Sequence, residues 1–161
     1  MKIKKIALYA VLIALYVGIT NLLGGISFGI FQFRVSEILL LLPFYNRRYS
    51  VPCIIAVALG NLFSPLGLID VAVGTIIAAV SYTVIIYISN IYVDTLLYSL
   101  LCGLLVGAEL HIVLQLDLFL SIFSVFISQI AVCSILGVQV LNLLAKNREV
   151  NKLLELRTKQ A

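Results

Sequence analysis

The stretch FGIFQFRVSEILLLLPFY (Phe28–Tyr45) sets Gln32, Arg34 and Glu37 directly against a run of leucines. An ionisable side chain at membrane depth is costly, so it faces a bundle interior or a water-filled cavity and marks a candidate site. An ionised carboxylate accepts two parallel N–H bonds, which suits an amidine-like or guanine-like edge. Arg34 and Glu37 are three residues apart and share a face if the segment is a regular helix. Two readings follow. Either the two form an ion pair that ends the helix, or Glu37 faces a ligand while Arg34 orients it or donates to a ligand carbonyl.

Two further polar clusters interrupt the apolar chain. In GNLFSPLGLIDVAVG (Gly60–Gly74), Pro65 and Gly67 mark a tight turn, with Asn61 ending one segment and Asp70 in the first turn of the next. Asp70 reads equally as a helix cap or dipole partner and as a site residue, and Asn61 as a helix-end hydrogen-bonder or a site residue. In GAELHIVLQLD (Gly107–Asp117), Glu109 is a site candidate, His111 an interfacial residue and Asp117 a solvated loop charge. No second histidine exists to build a metal site, and no metal or cofactor is expected. Gln129 is a further candidate on the last apolar segment. The loop carrying Gly24, Gly25 and Gly29 reads equally as a cap turned back over a pocket, since glycine adopts such turns without steric cost, and as an ordinary exposed loop.

The elements that hold these residues are set by composition. The chain has 161 residues, 63% hydrophobic and 11% charged, with a mean hydropathy of +1.18. Soluble domains average about 45–50% apolar and about 25% charged, so the chain reads as an integral membrane protein. Polar punctuation and Gly/Pro breaks divide it into apolar segments near 5–23, 35–46, 50–63, 69–89, 94–112 and 118–145. Backbone groups in lipid must be satisfied within their own segment, so each predicts a helix. The expected fold is all-α, a single domain (1–161) of six transmembrane helices. The basic start with its apolar run mimics a signal peptide, but no A-x-A-like cleavage site follows it, and it is taken as the first span.

The formal charge of +4 is clustered at Lys2, Lys4 and Lys5, at Arg47 and Arg48, and at Lys146, Arg148, Lys152, Arg157 and Lys159. Six crossings put all three clusters on one side, with Arg34 the single basic residue in the opposite loops. The positive-inside rule then makes both termini cytoplasmic. Counting back ten residues from Arg47 to Glu37 gives about 15 Å at the helical rise, against a hydrocarbon core of about 30 Å. Glu37 therefore lies near mid-depth, and Asn61, eleven residues from Ser50, reaches a similar depth. Cys53, Cys102 and Cys133 lie in apolar runs and act as small hydrophobes. Gly103/Gly107 and Ala10/Ala14 each lie one turn apart, with Ala7 beside the alanines, and allow close helix approach. Neither a phosphate-binding loop nor HExxH occurs, so the chain alone is not expected to hydrolyse ATP.

The blocks ISFGIFQFRVSEILLLLPF and GNLFSPLGLID resemble the QueT family, the substrate-binding (S) components of energy-coupling factor (ECF) transporters assigned to queuosine precursors. The resemblance spans essentially the whole chain. It implies a non-enzymatic six-helix subunit of the cell membrane that captures substrate outside. Its implied partners are a transmembrane coupling subunit, docked on the Ala10/Ala14 surface, and two ABC-type ATPases. The implied ligand is a 7-deazaguanine, either the 7-aminomethyl form or queuine. Its amino edge would suit Glu37, its carbonyl Arg34 or Asn61, a cationic arm Asp70 or Glu109, and its flat ring Phe31 or Phe33. Rival readings are an S component for another solute such as a vitamin, a structural membrane subunit, and an intramembrane enzyme using Glu37, Asp70 and His111.

Overall fold

The computed structural model describes residues 2–28, 32–88 and 90–156. Four helical spans are long and apolar enough to cross a membrane: Ile3–Leu22, Leu68–Tyr87, Ile91–Leu114 and Leu118–Lys146. Between the first two lie the shorter apolar segments Val35–Tyr45 and Ser50–Asn61. In chain order the α-helices are α1 (Lys2–Leu22), α2 (Gly24–Ser27), α3 (Leu42–Tyr45), α4 (Ser50–Asn61), α5 (Leu68–Thr83), α6 (Ile91–Leu114), α7 (Leu118–Gln129), α8 (Val138–Lys146) and α9 (Arg148–Leu154). A 3-10 helix, Val35–Leu41, leads into α3, and a π-helix, Ile130–Gly137, joins α7 to α8.

Polarity is inverted relative to a water-soluble protein. Leu22, Phe63, Leu68, Phe119 and Phe123 are exposed on the outside, whereas Asn61, Asp70, Ser81, Asp94 and Thr95 have no accessible surface. Apolar side chains face the surroundings and polar ones pack inward, as an apolar solvent requires. The protein is a multi-pass membrane bundle.

The segment expected as a regular helix over 35–46 is instead a 3-10 helix followed by one α-turn. Pro43 supplies one reason: it has no N–H to donate to the Leu39 carbonyl. That carbonyl takes the Leu42 N–H and the Cys53 thiol at 3.7 Å, while the Tyr82 hydroxyl donates to the Leu40 carbonyl at 2.7 Å. A 3-10 stretch of this length is uncommon, and it is braced on several sides. It packs against α1, α8 and the π-helix, and Ser36 meets Thr20 of α1 at 2.6 Å between hydroxyl oxygens.

Glycines set the close crossings. A Cβ at Gly107 would fall 2.6 Å from the Ile122 Cα, and one at Gly103 would fall 2.9 Å from the Phe126 Cβ. The Gly103/Gly107 face thus seats α7 on α6. A Cβ at Gly60 would strike the Tyr16 ring at 2.7 Å, so α1 and α4 meet there.

After α8 the chain turns back on the bundle. α9 folds back beneath the start of α4, where Arg48 donates to the Leu153 and Leu154 carbonyls at 3.1 and 2.9 Å and pairs with Glu155 at 2.5 Å. A guanidinium there satisfies helix-end carbonyls that lack partners of their own. Asn46 adds a bond to the Glu155 carbonyl at 2.8 Å, and the Tyr49 hydroxyl one to Leu154 at 3.0 Å.

Candidate functional site: a buried carboxylate cavity

Arg34 lies in extended backbone just before the 3-10 helix, not on a helical face with Glu37. The expected Arg34–Glu37 ion pair gives way to another. Arg34 donates to both carboxylate oxygens of Asp70, at 3.2 and 3.0 Å. Its Nη1 donates to the Asn61 Oδ1 at 2.9 Å, and its Nε to the Gln32 Oε1 and the Ser27 carbonyl at 3.1 and 3.2 Å. The guanidinium also stacks 5.1 Å from the Phe28 ring centre. Most of its five N–H donors are thereby committed. Arg34 is first a clasp that ties the α2 turn to α4 and α5.

Asp70 is not a helix cap: Gly67, at φ 70°, holds that position, and the Asp70 side chain is fully buried against Arg34. Asn61 also lies inside the clasp. Its Nδ2 donates to the Asp70 carbonyl at 2.9 Å while its Oδ1 accepts from Arg34. A Cβ on Gly74 would collide with that Asn61 amide, so a glycine is required where α4 and α5 meet.

With Arg34 neutralised by Asp70, Glu37 keeps two different partners. The Tyr98 hydroxyl donates to its Oε2 at 2.5 Å, and the Tyr16 hydroxyl to its Oε1 at a looser 3.5 Å. Neither tyrosine was singled out from sequence; their only signal was a phenol in the middle of an apolar helix, a group that seeks a polar partner when buried.

Glu37 lines a cavity together with Gln32, Arg34, Asp70, Tyr98 and Gln129, the rest of its lining being Gly74 and the apolar Val57, Ile77, Cys102, Val106 and Val125. The cavity volume is about 20 Å³, room for about one water. Anything larger than a water therefore needs the lining side chains to shift. The α2 turn is tied by backbone as well, the Phe33 N–H donating to the Ile26 carbonyl at 3.2 Å. Residues 29–31, where the expected cap would close, lie outside the described residues.

The remaining expectations divide. Gln32 reaches the cavity from a left-handed backbone position (φ 49°). Gln129 lines it too, accepting from the Cys133 thiol at 3.3 Å. Phe33 packs against the apolar core instead of lining the cavity, and Phe31 and Gly29 lie outside the described residues. Glu109 is 3% exposed and sits one turn beyond Val106 on the same face of α6. His111 is exposed, with Nδ1 2.6 Å from the Leu116 carbonyl, as suits an interfacial residue. Asp117 is more than a solvated charge: it caps α7, accepting from the Leu120 N–H at 2.9 Å. Ala10 and Ala14 are exposed on the outer side of α1. Among the described residues no cluster of three potential metal ligands occurs.

Comparison with known proteins gives one result. A family model described as QueT transporter matches residues 6–146. No curated protein and no solved structure matches the chain.

Proposed function

Because the chain belongs to the QueT transporter family, we propose that it is the S component of an ECF-type importer that captures a queuosine precursor outside the cell. The observation that carries this reading is Glu37, a buried carboxylate lining a cavity, braced by two phenols and free of the nearby arginine. Such an acceptor suits the adjacent N–H and amino donors of a guanine-type edge. Gln129 and Gln32 add neutral amides that can read the rest of the ring.

In this reading Val35–Tyr45 and Ser50–Asn61 complete six crossings within one domain, with both termini cytoplasmic. The basic residues at Lys4 and Lys5, Arg47 and Arg48, and Lys146, Arg148 and Lys152 then share the inner side, as the positive-inside rule asks. The exposed Ala10 and Ala14 offer a flat strip for the coupling subunit, and two ABC-type ATPases supply the energy. Release inside follows when that assembly moves the subunit in the cell membrane.

The test is calorimetric titration of the purified, detergent-solubilised protein with 7-aminomethyl-7-deazaguanine, queuine and guanine. Tight binding of a deazapurine with weak guanine binding is expected. No heat with any of the three would overturn the substrate assignment and direct the search to vitamins.

A further inference from the structure

The cavity lining meets most of its own hydrogen-bonding needs. Arg34 commits its donors to Asp70, Asn61, Gln32 and Ser27, and the Tyr98 hydroxyl donates to Glu37. Asn61 stands outside the lining, and its amide nitrogen donates to the Asp70 carbonyl and carboxylate at 2.9 and 3.4 Å. The two side chains expected to donate to a ligand carbonyl, Arg34 and Asn61, are thus turned to the protein.

Among the described residues that line the cavity, one buried side-chain polar atom lacks a hydrogen-bond partner: the Gln32 Nε2. Gln32 is 1% exposed, and a buried N–H donor without an acceptor is costly. The orientation of this amide is fixed. The Arg34 Nε donates to the Gln32 Oε1 at 3.1 Å, which leaves the NH2 as the free end. The backbone adds a second cost, since Gln32 sits at φ 49°, in the left-handed region that residues other than glycine seldom occupy. An orphaned donor held by a strained backbone in a cavity lining calls for a partner that is not part of this chain.

We infer that Gln32 sets the specificity of the cavity, donating from Nε2 to a ligand carbonyl that adjoins the N–H edge taken by Glu37. Glu37 supplies acceptors and Gln32 a donor, which together match a cyclic amide with N–H and C=O on adjacent ring atoms. A ring carrying an amino group in place of that carbonyl would set donor against donor, and is rejected. The inference rests on the Glu37 reading above and adds to it the acceptor that separates an oxo base from an amino base.

The test titrates 7-aminomethyl-7-deazaguanine and its 6-thioxo counterpart into the wild type and Gln32→Met. The second probe keeps every donor and replaces the carbonyl oxygen with sulfur, a poorer acceptor. The wild type is expected to prefer the oxo base by about 5-fold or more, as a buried hydrogen bond left unmade warrants. Gln32→Met, of similar length but without the NH2, is expected to lose that preference. Its affinity for the thioxo base should stay close to wild type, which also reports that it folds. Gln32→Asn keeps an amide and suits the left-handed backbone, so it should retain part of the preference. A wild type without preference, or a Gln32→Met protein that keeps it, overturns the Gln32 contact and leaves the side chain as a support for Arg34. Failure of both probes to bind the wild type overturns the base reading, and the Gln32 contact with it.

Discussion

Arg34 grips both carboxylate oxygens of Asp70 from 36 positions away in the chain, and through Asn61 the same clasp includes the end of α4. Arg34 also holds the Ser27 carbonyl and the Gln32 side chain, and its ion pair is with Asp70, not Glu37. A mutual Arg34–Glu37 pair would instead have occupied the carboxylate and left Asp70 buried alone.

Removing one side of the clasp should therefore cost more than removing both. Asp70→Asn leaves a buried guanidinium without its counter-charge and is expected to lower stability by about 3–5 kcal/mol. Arg34→Met combined with Asp70→Leu should lose less than the sum of the two single changes. Thermal unfolding in detergent of the two single variants and the double variant measures the coupling; strict additivity would contradict the clasp.

The two tyrosines on Glu37 are unequal donors. Tyr98→Phe removes the 2.5 Å bond and Tyr16→Phe the 3.5 Å contact. Ligand affinity is expected to fall by about 10-fold or more for Tyr98→Phe, since a bond to a charged group contributes about 1.5–3 kcal/mol. Tyr16→Phe should change it less. Titration of both variants with the same deazapurine decides the order.

Much of this was legible in sequence. Composition gave the membrane bundle, and polar punctuation with Gly/Pro breaks gave the two short segments between Leu22 and Leu68. Gln32, Arg34, Glu37, Asp70 and Gln129 were named, and all five line one cavity. What sequence could not give was who pairs with whom. Spacing of three residues linked Arg34 to Glu37 only on the assumption of a regular helix, and Pro43 with its 3-10 lead-in removes that assumption. Tyr16 and Tyr98 come from helices far apart in the chain, so no local pattern announces that they meet at Glu37. The α9 strap was missed because its helix-end carbonyls are satisfied by Arg48, more than a hundred positions earlier.

That strap should respond to acid. The Arg48 hydrogen bond and charge hold the Glu155 carboxyl below its ordinary 4.5. A carboxyl lowered in the folded state stabilises above its unfolded value and loses that contribution as pH falls through the folded one. Hydrogen-exchange protection of α9 is expected to hold from neutral pH down to 4.5 and to decline below it. Glu155→Gln should be weaker at neutral pH and flat across the same range, with the wild type falling to meet it once its own carboxyl is protonated.

The exposed strip on α1 makes a prediction separate from the cavity. Enlarging Ala10 and Ala14 to Trp meets no packed neighbour within this chain, so folding and ligand titration should remain as in the wild type. Co-purification with the coupling subunit and its ATPases should drop sharply, because bulky residues block close helix approach. Retained co-purification would place the docking surface elsewhere.

The central claim is that Glu37 reads the ligand, and one titration tests it most directly. Glu37→Gln keeps the shape of the side chain and removes its charge. Its Kd for 7-aminomethyl-7-deazaguanine, measured by calorimetry beside the wild type, should be weaker by about 10-fold or more, given about 1.5–3 kcal/mol for a charged hydrogen bond. An unchanged Kd in a folded variant would contradict the account.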